Sequence, residues 1–306
     1  MSLFRRIFVS AAILFFGSCS VVRQPSSIEQ PTPLPDKKSS FFVPIPIKFS
    51  SSNAPCIEVK IEGHPFLMKL DLGFRGDLVM MEQGITQISQ KVFVGEKPMY
   101  NIRGNKYPEK LYQIPKVEIG GITFIRPIMQ EETEEHRKES IFSQKEEKEN
   151  LWEDSGKLGW HLFEKSNLLI DIKNATIAFC DSLETLSKNG YAVDQLIKTP
   201  LLLERGLVEL KTKASDQPLL CTLDTGCTLN FLNREGEIEQ ELWKEENVIS
   251  YDSFKIEEVE LGPILFHQIP IKIPIHLEAL LGMKFFKDHL VFLDFGRKTI
   301  YFSKNS

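Results

Sequence analysis

Residues 219–227 read Leu219-Leu220-Cys221-Thr222-Leu223-Asp224-Thr225-Gly226-Cys227, an apolar run that leads into an acid and a glycine. The aliphatic and β-branched residues predict a strand. Asp-Thr-Gly predicts a turn, because Asp accepts hydrogen bonds from nearby backbone N–H groups and Gly tolerates positive φ. The stretch therefore predicts one carboxylate at the junction of a strand and a loop, where functional groups are common. On its own, the motif is equally typical of an ordinary turn.

The pattern around Asp224 occurs twice in the chain. In the later copy, residues 207–213 and 219–223 predict a β-hairpin that runs into the acid. In the earlier copy, residues 57–62 and 66–70 predict a hairpin of the same layout that runs into Asp71-Leu72-Gly73. The duplication gives the short motif a meaning that a single copy lacks.

A second, longer correspondence follows each acid. Residues 158–163, 168–172 and 176–179 align without a gap on 281–286, 291–295 and 299–302, so that Asp171 coincides with Asp294. A repeat of this length is too long for a solenoid unit and predicts two related domains. We place the domains at residues 41–182 and 200–306, with a polar linker at 183–199. The first copy is longer because of a segment at 131–154, which is rich in Glu and Lys and predicts a solvated surface excursion.

The N-terminus predicts export. Arg5 and Arg6 precede an apolar run at residues 7–16, which is short for a membrane span and typical of a signal peptide covering residues 1–19. Its end resembles a bacterial lipobox and implies lipidation of Cys19, although Phe16 stands where Leu is usual. A plain signal peptide with an incidental Cys is the alternative. The Pro- and Ser-rich residues 20–40 predict a tether.

Composition excludes several function classes. The 306 residues carry a formal net charge of -5, which does not favour a nucleic-acid partner. The six His residues form neither a His-Glu-x-x-His pair nor a Cys/His spacing suited to zinc, and no phosphate-binding Gly loop occurs. We therefore expect neither a metal nor another cofactor.

The chain thus contains the same pattern twice: a hairpin, Asp-x-Gly and a later apolar segment that ends in Gly. This repeated pattern resembles the two-lobed aspartic peptidases of the pepsin type. Each half is also similar to the retropepsin-like domains of bacterial proteins. The resemblance implies an all-β fold of two homologous β-barrel lobes with an active-site cleft between them. It implies a catalytic dyad of Asp71 and Asp224, supported by Gly73, Thr225, Gly226, Gly159 and Gly282.

Such a dyad implies peptide hydrolysis without a covalent intermediate. Two carboxylates about 3 Å apart cannot both ionise easily, so the pair shares a proton from acidic to near-neutral pH. The ionised member can take a proton from water while the protonated member donates to the substrate carbonyl. Because one chain carries both acids, we expect a monomer that acts on a protein or peptide at the cell envelope, facing the periplasm or on the outer membrane.

The first motif departs from the family pattern. The family places Thr or Ser after each catalytic Asp, whereas this chain has Leu72 after Asp71. The residue after the Gly is usually small, and here it is Phe74 in one copy and Cys227 in the other. These departures favour an alternative hypothesis, a catalytically inactive fold that binds peptides or serves as an envelope scaffold. A third hypothesis is a cleft with another ligand.

Two further features leave alternatives open. The resemblance implies that a hairpin covers the cleft, and residues 91–107 are the candidate, although Tyr100 and Tyr107 could equally cover the core. If Cys19 is lipidated, four thiols remain. These are Cys56, Cys180, Cys221 and Cys227. A Cys56–Cys180 bridge is possible from sequence, while Cys221 and Cys227 are expected to be buried small apolar residues.

Overall fold

A computed structural model of the chain describes residues 41–101, 104–133, 155–233, 248–269, 271–272, 274 and 276–304. These residues are predominantly β, in keeping with the alternating sequence pattern. The strands are β1 Phe42–Pro46, β2 Lys48–Phe49, β3 Pro55–Ile61, β4 His64–Asp71, β5 Leu78–Met81, β6 Val92–Tyr100, β7 Lys106–Gln113, β8 Lys116–Ile119, β9 Ile122–Ile125, β10 Ile128–Glu132, β11 Gly156–Gly159, β12 Asn167–Asp171, β13 Thr176–Cys180, β14 Ile197–Pro200, β15 Glu209–Ala214, β16 Gln217–Leu223, β17 Phe231–Asn233, β18 Val248–Ile256, β19 Val259–Ile269, β20 Ala279–Leu281, β21 Val291–Asp294 and β22 Thr299–Phe302.

Helices are short in this part of the chain. They are α1 Glu82–Ile85, α2 Leu183–Lys188 and α3 Met283–Asp288, with 3₁₀ turns at Trp160–Phe163 and Val193–Gln195. Within the described ranges, no helix combines the length and the apolar character needed to cross a membrane.

The strands form three sheets. A ten-stranded sheet has the order β6-β7-β10-β5-β11-β4-β3-β8-β9, with β2 paired to β3. A closed barrel has the order β15-β16-β20-β17-β19-β18, and a six-stranded sheet has the order β1-β13-β12-β21-β22-β14. The first sheet contains Asp71, the barrel leads to Asp224, and the third sheet takes strands from both halves of the sequence.

Both predicted hairpins before the acids are confirmed. β3 pairs antiparallel with β4 through a turn at Glu62 and Gly63, and β15 pairs with β16 through Ser215 and Asp216. All four turn residues have positive φ, which matches the right-handed twist of the strands that they connect. The two hairpins therefore have the same turn geometry as well as the same sequence layout.

The pairing beyond the hairpins also repeats. β4 pairs in parallel with β11, as β16 does with β20, and β5 pairs in parallel with β10, as β17 does with β19. The shared order is thus β3-β4-β11-β5-β10 in one copy and β15-β16-β20-β17-β19 in the other. The repeat seen in the sequence is therefore a repeat of strand topology.

The two copies meet in the six-stranded sheet. β12 and β21 pair antiparallel, with Leu169 opposite Phe292 and Leu168 opposite Leu293. The gapless alignment makes Leu169 the counterpart of Phe292, so the pairing has the symmetry of a two-fold axis. The aligned acids have the same role, because Asp171 and Asp294 each accept a hydrogen bond from a backbone N–H in the following turn, at 3.1 and 2.9 Å.

One apolar core spans both copies. The largest buried cluster contains side chains from β3 and β4 and also from β15, β16 and β21. Trp160 stacks on Phe295 with ring centroids 6.1 Å apart, and its indole N–H donates to the Gly206 carbonyl at 3.2 Å. Burial of this apolar surface fixes the two copies against each other.

Two predicted segments differ from expectation. The charged segment at 131–154 was expected to be solvated, but Glu131 and Glu132 lie in β10 and are buried. The remainder, 134–154, lies outside the described residues, as do the predicted signal peptide and tether. The predicted linker contains α2 and most of β14, and its Leu186 is buried in a small cluster with Phe292.

The central sheet gives a stability prediction. Phe292 is 0% exposed, so Phe292→Ala should leave a cavity and lower the free energy of unfolding by about 3–5 kcal/mol. Phe49 is 41% exposed, and Phe49→Ala is the matched control. Urea denaturation of the chain from residue 41 onward compares the free energies of unfolding of the two variants. Equal losses would contradict a central role for the β12–β21 pairing.

Candidate active site

Strand and turn geometry delivers the two acids to equivalent places. β4 ends at Asp71, and β16 ends one residue before Asp224. Tight turns follow, in which Phe74 N–H donates to the Asp71 carbonyl at 3.1 Å and Cys227 N–H donates to the Asp224 carbonyl at 3.3 Å. We call residues 71–74 the first Asp loop and residues 224–227 the second Asp loop.

The two loops face each other at very short range. A Cβ added to Gly73 would lie 2.5 Å from Cγ of Asp224, and a Cβ added to Gly226 would lie 2.5 Å from Cγ of Asp71. Each carboxyl group therefore occupies the space where a side chain on the opposite loop would be. Any residue other than Gly at 73 or 226 would push the acids apart, which explains why both motifs retain it.

Thr225 joins the loops through its hydroxyl group. The hydroxyl donates to the Leu70 carbonyl at 2.8 Å and accepts from the Leu72 N–H at 3.1 Å. Thr225 is 0% exposed, so these bonds satisfy a group that would otherwise be costly to bury. Leu72 cannot return the bonds, since it has no hydroxyl, and its side chain lies in the apolar core instead.

Gly159 and Gly282 have equivalent positions beside the loops. Added Cβ atoms would lie 2.6 Å from the Phe74 carbonyl oxygen and 2.7 Å from the Cys227 carbonyl oxygen, respectively. The residue after each glycine donates its N–H to the same carbonyl, at 3.3 Å from Trp160 and 2.7 Å from Met283. Both predicted support glycines are therefore required by close backbone approach.

The bulk of Phe74 is accommodated beside the site. Added Cβ atoms on Gly76 and Gly159 would lie 2.5 and 2.6 Å from the Phe74 ring, so the ring rests against two glycines. The expected cost of this large residue is thus reduced by the absence of side chains at its neighbours. Leu72 remains as the departure that changes the hydrogen bonds of the dyad.

Sequence reasoning missed a pair of residues that hold the loops. Asp77 and Asn230 each follow a dyad acid at the same spacing. Gly159 N–H donates to the Asp77 carbonyl at 2.9 Å, and Gly282 N–H donates to the Asn230 side-chain oxygen at 3.0 Å. The Asp77 carboxylate also accepts from the Ile128 N–H at 2.7 Å. The equal spacing was the available signal.

Asp224 is a well-bonded carboxylate. It is 8% exposed, and it accepts from the Gly226 N–H at 2.8 Å and from the Cys227 thiol at 2.9 Å. Cys227 was expected to be a buried apolar residue, and it differs in two ways: part of the residue is exposed, and its enclosed thiol donates to Asp224. Burial and the nearby Asp224 carboxylate raise the pKa of the Cys227 thiol.

The surroundings of Asp71 disfavour its ionisation. Burial and the nearby charge of Asp224 raise the pKa of Asp71 to about 7, while Lys157 and Lys69 oppose the rise. Repulsion between close carboxylates and removal from water both disfavour a second negative charge. The pair can therefore hold one proton at mildly acidic pH, as a general acid–base dyad requires.

The candidate covering hairpin reaches across the two copies. β6 and β7 form the hairpin, and near its tip a Cβ on Gly104 would lie 2.5 Å from the Lys272 carbonyl oxygen. Tyr107 is buried and Tyr100 is 36% exposed, so they do not share one role. The contact places the hairpin tip against the second half of the chain.

The other thiols form no bridge among the described residues. The possible Cys56–Cys180 disulfide is not formed, and both residues are buried. Cys221 is buried as expected and lies 3.3 Å from the Thr212 hydroxyl. Within the described ranges, no three His, Cys, Asp or Glu side chains are grouped so that they could hold a metal ion.

The predicted site residues other than Cys19 lie together around the two Asp loops, whereas Cys19 lies outside the described residues. Comparison of the chain with protein-family models and with curated proteins found no match. The chemistry of the site is therefore inferred from its geometry: two facing carboxyl groups, one shared hydroxyl bridge and two glycines in close backbone contact.

The raised pKa of Asp71 predicts a pH-dependent stability. The folded state binds this proton more tightly than the unfolded state, so its contribution is full below about pH 4 and is lost as pH rises to about 7. Asp71→Asn should remove that dependence and exceed wild type in unfolding free energy above pH 7 by up to about 4 kcal/mol.

Urea denaturation at several pH values measures this difference. Asp252→Asn, at an exposed position in β18, is the control for loss of one carboxylate. A constant gap between wild type and Asp71→Asn from pH 4 to pH 8 would show that Asp71 titrates normally.

Proposed function

We propose that this chain is an aspartic endopeptidase of the two-lobed pepsin type, with Asp71 and Asp224 as the catalytic dyad. The observation that carries the proposal is the reciprocal approach of the two Asp loops, in which each carboxyl group lies against the glycine of the other loop. An ordinary Asp-x-Gly turn requires its own Asp and Gly. It does not require a second Asp-x-Gly turn that faces it and places a carboxyl group at the equivalent position.

The dyad supports hydrolysis by an activated water. At mildly acidic pH the pair holds one proton, which is available to the carbonyl oxygen of the scissile peptide bond. The ionised carboxylate removes a proton from water, the resulting hydroxide adds to the carbonyl carbon, and the tetrahedral intermediate collapses as the leaving amine takes up a proton. Thr225 supports this chemistry by fixing the second loop to the backbone around Asp71.

The alternative is a catalytically inactive peptide-binding or scaffold protein. Leu72 favours this alternative, because only the Thr225 hydroxyl of the second loop bonds across to the first loop. The first loop has no hydroxyl that could make the equivalent bonds to the second. Since small misplacements of catalytic groups can lower rates by orders of magnitude, one lost bridge could abolish hydrolysis while leaving the cleft intact.

The location of the protein is part of the proposal. A signal peptide, a lipobox-like end with Cys19 and a Pro-rich tether favour a lipid-anchored protein of the bacterial cell envelope. In that setting a tethered monomer would act on proteins or peptides near the membrane surface.

Replacing each acid tests the dyad. The soluble body from residue 41 is incubated with an unfolded protein as wild type, Asp71→Asn, Asp224→Asn and the surface control Asp252→Asn. We expect cleavage by wild type and Asp252→Asn, and a loss of at least about a thousandfold in both dyad variants, because neither acid can replace the other. Cleavage that survives in either dyad variant would contradict the shared mechanism. A wild type that cleaves nothing would favour the scaffold alternative.

The shared proton predicts the pH profile. Because the pKa of Asp71 is raised to about 7, the pair loses its proton as pH rises through that value. Initial rates on a fluorogenic peptide should therefore fall about tenfold for each pH unit above about 7. Circular dichroism at the same pH values controls for unfolding. Activity that stays constant up to pH 9 would show that hydrolysis does not need this proton.

A further inference from the structure

Lys69 stands beside the dyad on the same strand face. In β4, Phe66, Met68 and Leu70 point into the core, so Lys69 and Asp71 point to the opposite face. The parallel pairing with β11 places Gly159 beside Asp71 and Lys157 beside Lys69. The first copy thus carries two lysines in the row next to its catalytic acid.

The charge of Lys69 acts on both Asp loops. Burial raises the pKa of Asp71 and the pKa of the Cys227 thiol, and the positive charge of Lys69 opposes both rises. Its side chain is partly exposed. Among the described residues, no carboxylate lies within ion-pair distance of Lys69, whereas Lys157 contacts the buried Glu132 at 2.9 Å.

The equivalent row of the second copy has no lysine. Thr222 stands two residues before Asp224 and pairs with Leu280, and both are buried. The Thr222 hydroxyl lies 3.2 Å from the Glu209 carboxylate, which also binds Arg205. The two sides of the dyad therefore differ: the first carries two lysines and is partly open, whereas the second is buried and its Glu209 carboxylate pairs with Arg205.

Two other carboxylates of the first copy already have partners. Asp77 contacts His161 at 2.6 Å, and the Glu109 carboxylate accepts from the Gln130 amide. Arg75 adds another positive charge, since its guanidinium lies against Gly206 at the edge of the first Asp loop. The surroundings of Lys69 thus favour a negatively charged group supplied from outside the chain.

We propose that Lys69 binds an acidic side chain of the substrate, so that the cleft selects peptides with Glu or Asp next to the scissile bond on the side of Asp71. This inference rests on the proposed function only for the position of the scissile bond. A lysine placed next to the dyad can form a charge-assisted hydrogen bond with a carboxylate that lies in the cleft, and such bonds are stronger than neutral ones.

Binding of uncleavable peptides tests this specificity without requiring turnover. The peptides carry a hydroxyethylene group in place of one peptide bond, are blocked at both ends, and have Glu or Gln at either residue flanking that group. Titration calorimetry at pH 5.5 measures their affinity for wild type, Lys69→Met, Lys69→Arg and the control Lys60→Met, an exposed residue on neighbouring β3.

At one flanking position, we expect wild type, Lys69→Arg and Lys60→Met to bind the Glu peptide about ten- to a hundredfold more tightly than the Gln peptide. Lys69→Met should remove that preference. Equal affinities for Glu and Gln in wild type, a preference that persists in Lys69→Met, or no binding of any peptide would overturn the proposal. A Glu preference in a protein that hydrolyses no substrate would support Lys69 and reject the peptidase function.

Discussion

The site depends on close steric packing between the two Asp loops. Each carboxyl group fills the volume that a side chain on the opposite glycine would need, so Gly73 and Gly226 set the separation of the acids. The surrounding fold serves this contact. Parallel pairing with β11 and β20 holds each loop from one side, and Gly159 and Gly282 are required where those strands end against the loop carbonyls.

Such close carboxylates repel each other, so the approach must be held by other interactions. The β12–β21 pairing and the shared apolar core supply that force at a distance from the site, where burial is worth about 25 cal/mol for each Å². Thr225 supplies a local connection of two hydrogen bonds, each worth about 1 kcal/mol in net terms. Core packing holds the two copies together independently of this bridge, so Leu72 can stand in place of a hydroxyl-bearing residue without separating the loops.

Sequence was informative where structure is local or repeated. Alternation predicted the hairpins before Asp71 and Asp224, and the duplication indicated that the two acids belong together. It was less informative where a property depends on neighbours from distant segments. From sequence, Phe74 is expected to add bulk to the site, because only the folded chain brings Gly76 and Gly159 against its ring. From sequence, Cys227 is expected to be apolar, because its hydrogen bond to Asp224 depends on the turn geometry that directs its thiol.

The repeat conserves backbone contacts more than side-chain chemistry. Both copies keep the acid, the glycine and the close approach of a following strand, since these features determine where the carboxyl groups stand. The row next to each acid is free of that constraint, and there the copies have diverged into Lys69 with Lys157 on one side and Thr222 with Leu280 on the other. If the cleft binds a peptide as proposed, a symmetric dyad in an asymmetric electrostatic field would not treat both sides of that peptide alike. Under the proposed function, selectivity for the direction and charge of the peptide would arise from the residues that the duplication left unconstrained.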